Sequence, residues 1–313
     1  MLQHLLRQLW LAAITLFGVV SLVFLIIRLT PGDPARLMLG DLATPEALAQ
    51  LRSQLGLDRP IYEAYGDFLL DYARGDMGQS LLTRRQVMDE VLARAGYTFQ
   101  LAGGAMLFAI ALGIPLGVMA AVRRGTGWDV GSMLLATLGT STPVFFLGIV
   151  FILLFSVYLG WLPAIGAGQA DDPWSLVQHL ILPSVALGFA TAALLARITR
   201  SSLLEVLNQD YVRTARAKGL AERRILWAHA LKNAAIPLTT VAALNMGYLI
   251  GGAVITETVF ARPGLGKFLV DAIGARDYPV VQGVTFSVAA LFILINLLTD
   301  LVYSWLDPRI RYS

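Results

Sequence analysis

The feature that most constrains this chain is the spacing of its charges. Arg7 and Arg28 enclose 20 uncharged residues, Arg94 and Arg123 enclose 28, and Asp129 and Asp171 enclose 41. Asp172 to Arg197 and Lys232 to Glu257 enclose 24 each, and Asp277 to Asp300 encloses 22. A helix that crosses a bilayer needs about 20 mostly apolar residues. Six windows meet that length. The longest does not hold two spans, because its second part, Gly160–Gln169, is short and rich in Gly and Pro. The windows predict six membrane helices, at about 9–29, 98–122, 132–158, 179–199, 238–258 and 280–304. Composition agrees. Hydrophobic residues make up 57% of the 313 and charged residues 14%, against about 45–50% and roughly 25% in soluble domains. Mean hydropathy is +0.67. A soluble enzyme is excluded as the default.

An even number of spans puts both ends on one side, and the distribution of Arg and Lys says which. Thirteen basic residues fall on one side: Arg7, the pair Arg123 and Arg124, eight between Arg197 and Lys232, then Arg309 and Arg311. The short loops opposite hold three, Arg262, Lys267 and Arg276. The termini are therefore expected in the cytoplasm. The first span lacks a small-residue cleavage site and is read as retained. The expected organisation is a first helix within 1–30, an extracytoplasmic segment 31–96, a five-helix core 97–305 and a tail 306–313.

Two polar segments carry structure of their own. Thr44-Pro45-Glu46 reads as a helix start, with Thr as N-cap and Pro at the first position. Leu48, Leu51 and Leu55 follow on one face, and Gly56 ends the run. Asp58 is expected to open a second helix, with Ile61, Tyr65, Phe68 and Tyr72 at spacings of 4, 3 and 4, broken at Gly75-Asp76-Met77-Gly78. This segment is a helical cap or a docking surface. Inside, Leu203, Leu207, Tyr211 and Ala215 fall at successive i+4 positions, and Gly219 stands where a helix C-cap requires it. A second short helix is expected from Glu222 to Lys232, with Ile236-Pro237 leading into the next span. Two short helices in a loop that needs only a few residues suit insertion into a partner's groove.

Catalytic patterns are missing. No Cys, no H-E-x-x-H and no G-x-S-x-G occurs. Gly264-Leu265-Gly266-Lys267-Phe268 is not a phosphate loop, since Ala261 stands at the first Gly position and Phe268 follows the Lys. A proton- or sodium-coupled carrier, the rival of a different class, keeps ionisable residues at mid-membrane. Only Glu257 comes near. The energy for transport is therefore expected from another chain.

The inner loop, from Glu205 through Tyr211-Val212-Arg213-Thr214-Ala215-Arg216-Ala217-Lys218-Gly219-Leu220 to His229 and Pro237, closely resembles the EAA loop of binding-protein-dependent ABC importer permeases, in their dipeptide/oligopeptide/nickel branch. Arg213 and Thr214 depart from the general E-A-A-x-x-x-G pattern in the way that branch does. Pro31-Gly32-Asp33-Pro34, Leu55-Gly56-Leu57-Asp58-Arg59-Pro60, Gly75–Gly78, Pro263–Gly266, Arg276–Val280 and Asp307–Arg311 also look like this branch.

The resemblance implies an all-α membrane protein with the type I importer permease (MetI-like) fold, in the bacterial cytoplasmic membrane. It implies a second homologous permease, two ABC ATPases that bind ATP and Mg, and an extracytoplasmic substrate-binding protein. The chain itself is expected to bind no cofactor, metal or nucleic acid. Tyr211–Leu220 is expected to be the helix that docks on the ATPase, and the cargo a di- or oligopeptide, with glutathione, a nickel chelate or an opine as alternatives. For the translocation path the candidates are Asn245 and Tyr248, three apart on the fifth span, with Thr256 and Glu257 towards its outer end. Asn245 has the alternative of bonding a neighbouring helix.

Overall fold

The computed structural model describes residues 2–29, 35–36, 44–54 and 58–306, and among these no strand occurs. The helices are α1 (Leu2–Leu29), α2 (Pro45–Gln54), α3 (Ile61–Ala73), α4 (Val87–Val122), α5 (Gly127–Ser141), α6 (Val144–Phe151), α7 (Pro173–Leu207), α8 (Asp210–Ala217), α9 (Leu231–Val259), α10 (Leu265–Gly274) and α11 (Tyr278–Leu306). Within α1, α4, α7, α9 and α11 lie five segments long and apolar enough to cross a membrane. The motifs at 31–34 and 307–311, and the expected helix end at Leu55-Gly56, lie outside the described residues.

The third window departs from the expectation of one helix over 132–158. It forms two arms, Gly127–Ser141 and Val144–Tyr158, bent by 107°. The cause is local. Pro143 has no N–H to donate and pushes the residue before it out of the helical region, and Thr142 sits at φ −93, ψ 126. The second arm runs from α6 into a π-helical stretch, Ile152–Tyr158. The loop after it turns on Gly160, Gly166 and Gly168, all at positive φ. Asp172 then caps α7, accepting from the Trp174 N–H at 2.9 Å, with Pro173 at the first helical position.

Residues up to Gly96 together with Gly264–Ile293 form one compact unit. In α3 the inward face is aromatic. Phe24 of α1 meets Tyr65 and Phe68 with centroids 5.1 and 5.3 Å apart, and Tyr72 meets Phe286 edge-on at 5.2 Å. Ser21 and Tyr65 share a hydroxyl hydrogen bond of 2.6 Å. This helix opens at Ile61 and not at Asp58, because Pro60 holds an extended ψ of 139. It stops at Arg74, before Gly75 at φ 82. The loop that follows is held by Asp277, whose carboxylate accepts from Ser80 Oγ at 2.6 Å and from the Leu81 N–H at 3.2 Å. Upstream, Thr44 Oγ1 accepts from the Ala47 N–H at 3.3 Å, the cap expected for α2.

Tyr97–Pro263 and the residues from Leu294 form the second unit. Its core is stacked in layers along α4, α7 and α9: Leu101, Leu187 and Ile250, then Ala109, Leu195 and Leu238, then Ala121, Leu203 and Ala234. Small residues bring α4 against α7. A β-carbon on Gly113 would lie 2.5 Å from the Ala192 carbonyl oxygen, and one on Gly117 2.5 Å from that of Ala196. Backbones this close gain van der Waals contact that larger side chains would forbid. Arg200 of α7 grips Asp129 of α5 with two hydrogen bonds, of 2.6 and 2.9 Å.

Candidate coupling helix and translocation path

The segment expected to dock, Tyr211–Leu220, comprises most of the short helix α8, Asp210–Ala217, and the turn after it. A break at Asn208-Gln209 divides it from α7, so Leu203 and Leu207 do not share one helix with Tyr211 and Ala215. The anchor is Val212, fully buried, whereas Tyr211, Arg213, Thr214, Arg216, Ala217 and Lys218 are exposed and Ala215 is half-buried. The C-terminus carries the two hydrogen bonds of a Schellman motif. Leu220 N–H donates to the Ala215 carbonyl at 3.3 Å and Gly219 N–H to that of Arg216 at 2.9 Å. Gly219 sits at φ 77, and the space where its β-carbon would point is open.

After the turn, Arg216 holds Glu222 with hydrogen bonds of 2.7 and 3.3 Å. This bond keeps the Glu222 carboxyl below the ordinary carboxylate range and raises the Arg216 guanidinium. The expected second helix, Glu222–Lys232, is not a separate element. Glu222–Arg224 passes into a π-helical stretch, Ile225–Ala230, and then directly into α9. Pro237 lies inside α9, not at a junction. Ile225 and Ala230 are buried, and Asn233 Nδ2 donates to the Tyr211 hydroxyl at 2.7 Å. The exposed face of α8 thus rides on a continuous helical rod that becomes the fifth apolar span.

The path candidates separate into two groups. Tyr248 is 74% exposed. Asn245, half-buried, donates to the Val241 carbonyl of its own helix at 2.9 Å. Thr256 and Glu257 have almost no exposed surface. Thr98 Oγ1 donates to Glu257 at 2.6 Å. Arg262, also buried, receives company that sequence reasoning missed: its Nη2 donates to Gln100 Oε1 at 2.9 Å and its guanidinium lies 5.7 Å from the Tyr97 ring centre. Burial lowers its pKa, opposed by the Glu257 charge. Arg262 reaches inward from a tight turn in which Ala261 takes φ 47. The available signal was the polar run Tyr97-Thr98 and Gln100 at the head of an otherwise apolar span.

A family described as binding-protein-dependent transport system inner membrane component matches residues 113–312, and the N-terminal part of such membrane components matches residues 1–102. The chain is 43% identical over 333 residues to the dipeptide transport system permease protein DppB of Alkalihalophilus pseudofirmus. It is 45% identical over 335 residues to the di/tripeptide transport system permease protein DppB of Pseudomonas aeruginosa, and 45% over 313 to the glutathione transport system permease protein GsiC of Escherichia coli. Each of these alignments covers 100% of both chains. The fold is that of the inward facing MetNI methionine ABC transporter, with a TM-score of 0.56 at 20% identity over 70% of this chain and 97% of that one. A second crystal form of that transporter gives a TM-score of 0.58 at 21% identity, with the same coverage. This chain belongs to the binding-protein-dependent transport system inner membrane components, and is a permease subunit of an ABC importer.

Proposed function

We propose that the chain forms half of the translocation path for di- and oligopeptides, in the bacterial cytoplasmic membrane with both termini in the cytoplasm. Its partners are a second, homologous permease, two ABC ATPases and an extracytoplasmic binding protein. ATP and Mg bind on the ATPases, and this chain holds no cofactor. The observation that carries the reading is α8, an exposed helix capped at Gly219, anchored by Val212 and followed, after one turn, by an unbroken helical run into α9. When ATP draws the ATPases together, a helix seated on one of them moves with it. A rigid connection passes that movement to the fifth span, where Asn245 and Tyr248 face the path. The segment before α4 contacts the delivered binding protein or the partner permease.

Relatives named for dipeptides, for di/tripeptides and for glutathione support a small-peptide cargo. The test is uptake by proteoliposomes holding the four-subunit complex, with loaded binding protein outside and ATP inside. Dipeptide uptake that stops with vanadate is expected. ATP-independent uptake driven by a proton or sodium gradient would overturn the reading. Uptake of glutathione and not of dipeptides would move the cargo to the alternative while keeping the machinery.

A further inference from the structure

Between α4, α5 and α7 lies an apolar groove. It is walled by Leu112, Leu116, Leu135, Ala136, Ala193 and Ala196, and has a volume of about 130 Å³. That is room for a stretch of hydrocarbon chain. Beyond the groove's lining, where α4 ends and α5 begins, the surface is basic and aromatic. Leu112, Leu116 and Arg123 follow one face of α4 and its continuation at spacings of 4 and 7, and Trp128 and Leu135 of α5 are 7 apart. The Arg123 guanidinium lies over the Trp128 ring, 5.3 Å from its centre, and Trp128 is 57% exposed. Arg124 beside it is exposed.

Among the described residues neither Arg123 nor Arg124 forms an ion pair. From Arg94 to Asp171 the only acidic residue is Asp129. Its carboxylate is already committed, accepting twice from Arg200 and once from the Gly125 N–H at 3.0 Å. Two arginines and an exposed tryptophan therefore sit beyond the end of the groove with no carboxylate paired to either arginine. Tryptophan and arginine at the end of an apolar span are the side chains of the bilayer interface, where the ring and the alkyl stem stay in the apolar zone and the polar end meets the headgroups.

We propose that this groove holds an acyl chain of an anionic phospholipid, whose headgroup phosphate is bound by Arg123 and Arg124 with Trp128 against the glycerol region. The attraction of about fivefold per basic residue near a charged lipid surface sets the expected size of the selectivity.

The experiment is native mass spectrometry of the purified complex, titrated with phosphatidylglycerol and with phosphatidylethanolamine of the same chain length. The wild type should retain phosphatidylglycerol preferentially. Arg123→Ala with Arg124→Ala should cut that preference by roughly thirtyfold, and both residues are exposed, so the complex should still assemble. Ala193→Leu, which fills the groove, should lower retention of both lipids. Inorganic phosphate at millimolar concentration should not displace the bound lipid, since the chain, and not the headgroup alone, is held. Equal retention of the two lipids by the wild type, or an unchanged preference in the double variant, overturns the proposal. So does displacement by phosphate. The chain has no cysteine, so Leu135→Cys gives a single reporter. Its cross-linking to the second permease would assign the groove to a protein contact and overturn the proposal as well.

Discussion

Thr98 donates a 2.6 Å hydrogen bond to Glu257 across 159 positions of sequence, with both side chains buried. It ties the head of the α4 span to the end of α9 beside Arg262, whose Nε and Nη1 have no hydrogen-bond partner. The guanidinium depends on the Glu257 charge for compensation. Thr98→Val should cost about 1.5–3 kcal/mol, the range for a hydrogen bond to a charged group. Glu257→Leu should cost more, on the order of 3–5 kcal/mol, because it leaves a buried cation alone. Adding Arg262→Met to Glu257→Leu should recover part of the loss. Thermal unfolding of the detergent-solubilised complex reads all three. A double variant no more stable than Glu257→Leu alone would show that the two charges do not compensate each other. Glu257→Gln should lower the transport rate without changing which peptide is carried.

The conformation of Gly219 sets a second expectation. At φ 77 with open space around it, a side chain there meets no clash. The cost is backbone strain, about 1 kcal/mol or more for a β-carbon. Gly219→Val should leave the chain inserted and misdirect the turn, so that loaded binding protein no longer stimulates ATP hydrolysis by the reconstituted complex. Gly219→Asn should keep most of the stimulation, since Asn tolerates this region. Arg213→Ala should do little, because its contact with Asp210 is 3.4 Å long and both side chains are exposed. Equal stimulation in the Val and Asn variants would remove α8 from the coupling role at this position.

Arg216 and Glu222 give a pH dependence. A carboxyl whose pKa is lowered on folding adds stability at pH above its unfolded value, and this is lost as pH falls through the folded one. The turn should therefore loosen only in acid, below the ordinary glutamate range. The effect should be small and weaken with salt, as both side chains are substantially exposed. Hydrogen exchange of residues 217–224, corrected for intrinsic rates, should rise in Glu222→Gln at neutral pH to the level the wild type reaches in acid. An unchanged rate in the variant would show that the pair does not hold the turn.

Gly103 and Gly117 are both on α4, yet their neighbourhoods are opposite. A β-carbon on Gly103 meets nothing within 4 Å, whereas one on Gly117 lies 2.5 Å from Thr199 Cβ and from the Ala196 carbonyl oxygen. Gly103→Ala should be neutral or slightly stabilising through helix propensity. Gly117→Val should cost several kcal/mol by separating α4 from α7. Comparing melting temperatures of the two variants checks this.

Reporter fusions after Asp76 and after Lys218 should label opposite sides of the membrane, the first outside. Labelling of both from outside would overturn the orientation argued from the basic residues.

The spans were legible because a bilayer imposes one length scale on every crossing helix, and a run without charges reveals it directly. The Gly219 cap was legible because a single residue type meets that conformation without strain. The bend was missed although Pro143 was in view. Whether a proline kinks a helix or divides it depends on the neighbours that take up the freed backbone groups, and Pro115 and Pro183 stay inside continuous helices. The Thr98–Glu257 pair was not legible. Its two halves are far apart in sequence, and a hydroxyl in an apolar run is equally at home bonding its own helix, as Asn245 does by its amide.

The division at Thr142–Pro143 leaves two arms of 15 residues each, Gly127–Ser141 and Val144–Tyr158. At 1.5 Å per residue each is about 22 Å long, short of the roughly 30 Å of hydrocarbon in an ordinary bilayer. Neither arm alone reaches from one headgroup layer to the other. Mismatch of this kind is relieved by local thinning, at a fraction of a kcal/mol per Å. Uptake in vesicles of short and long acyl chains should therefore differ, through these two arms.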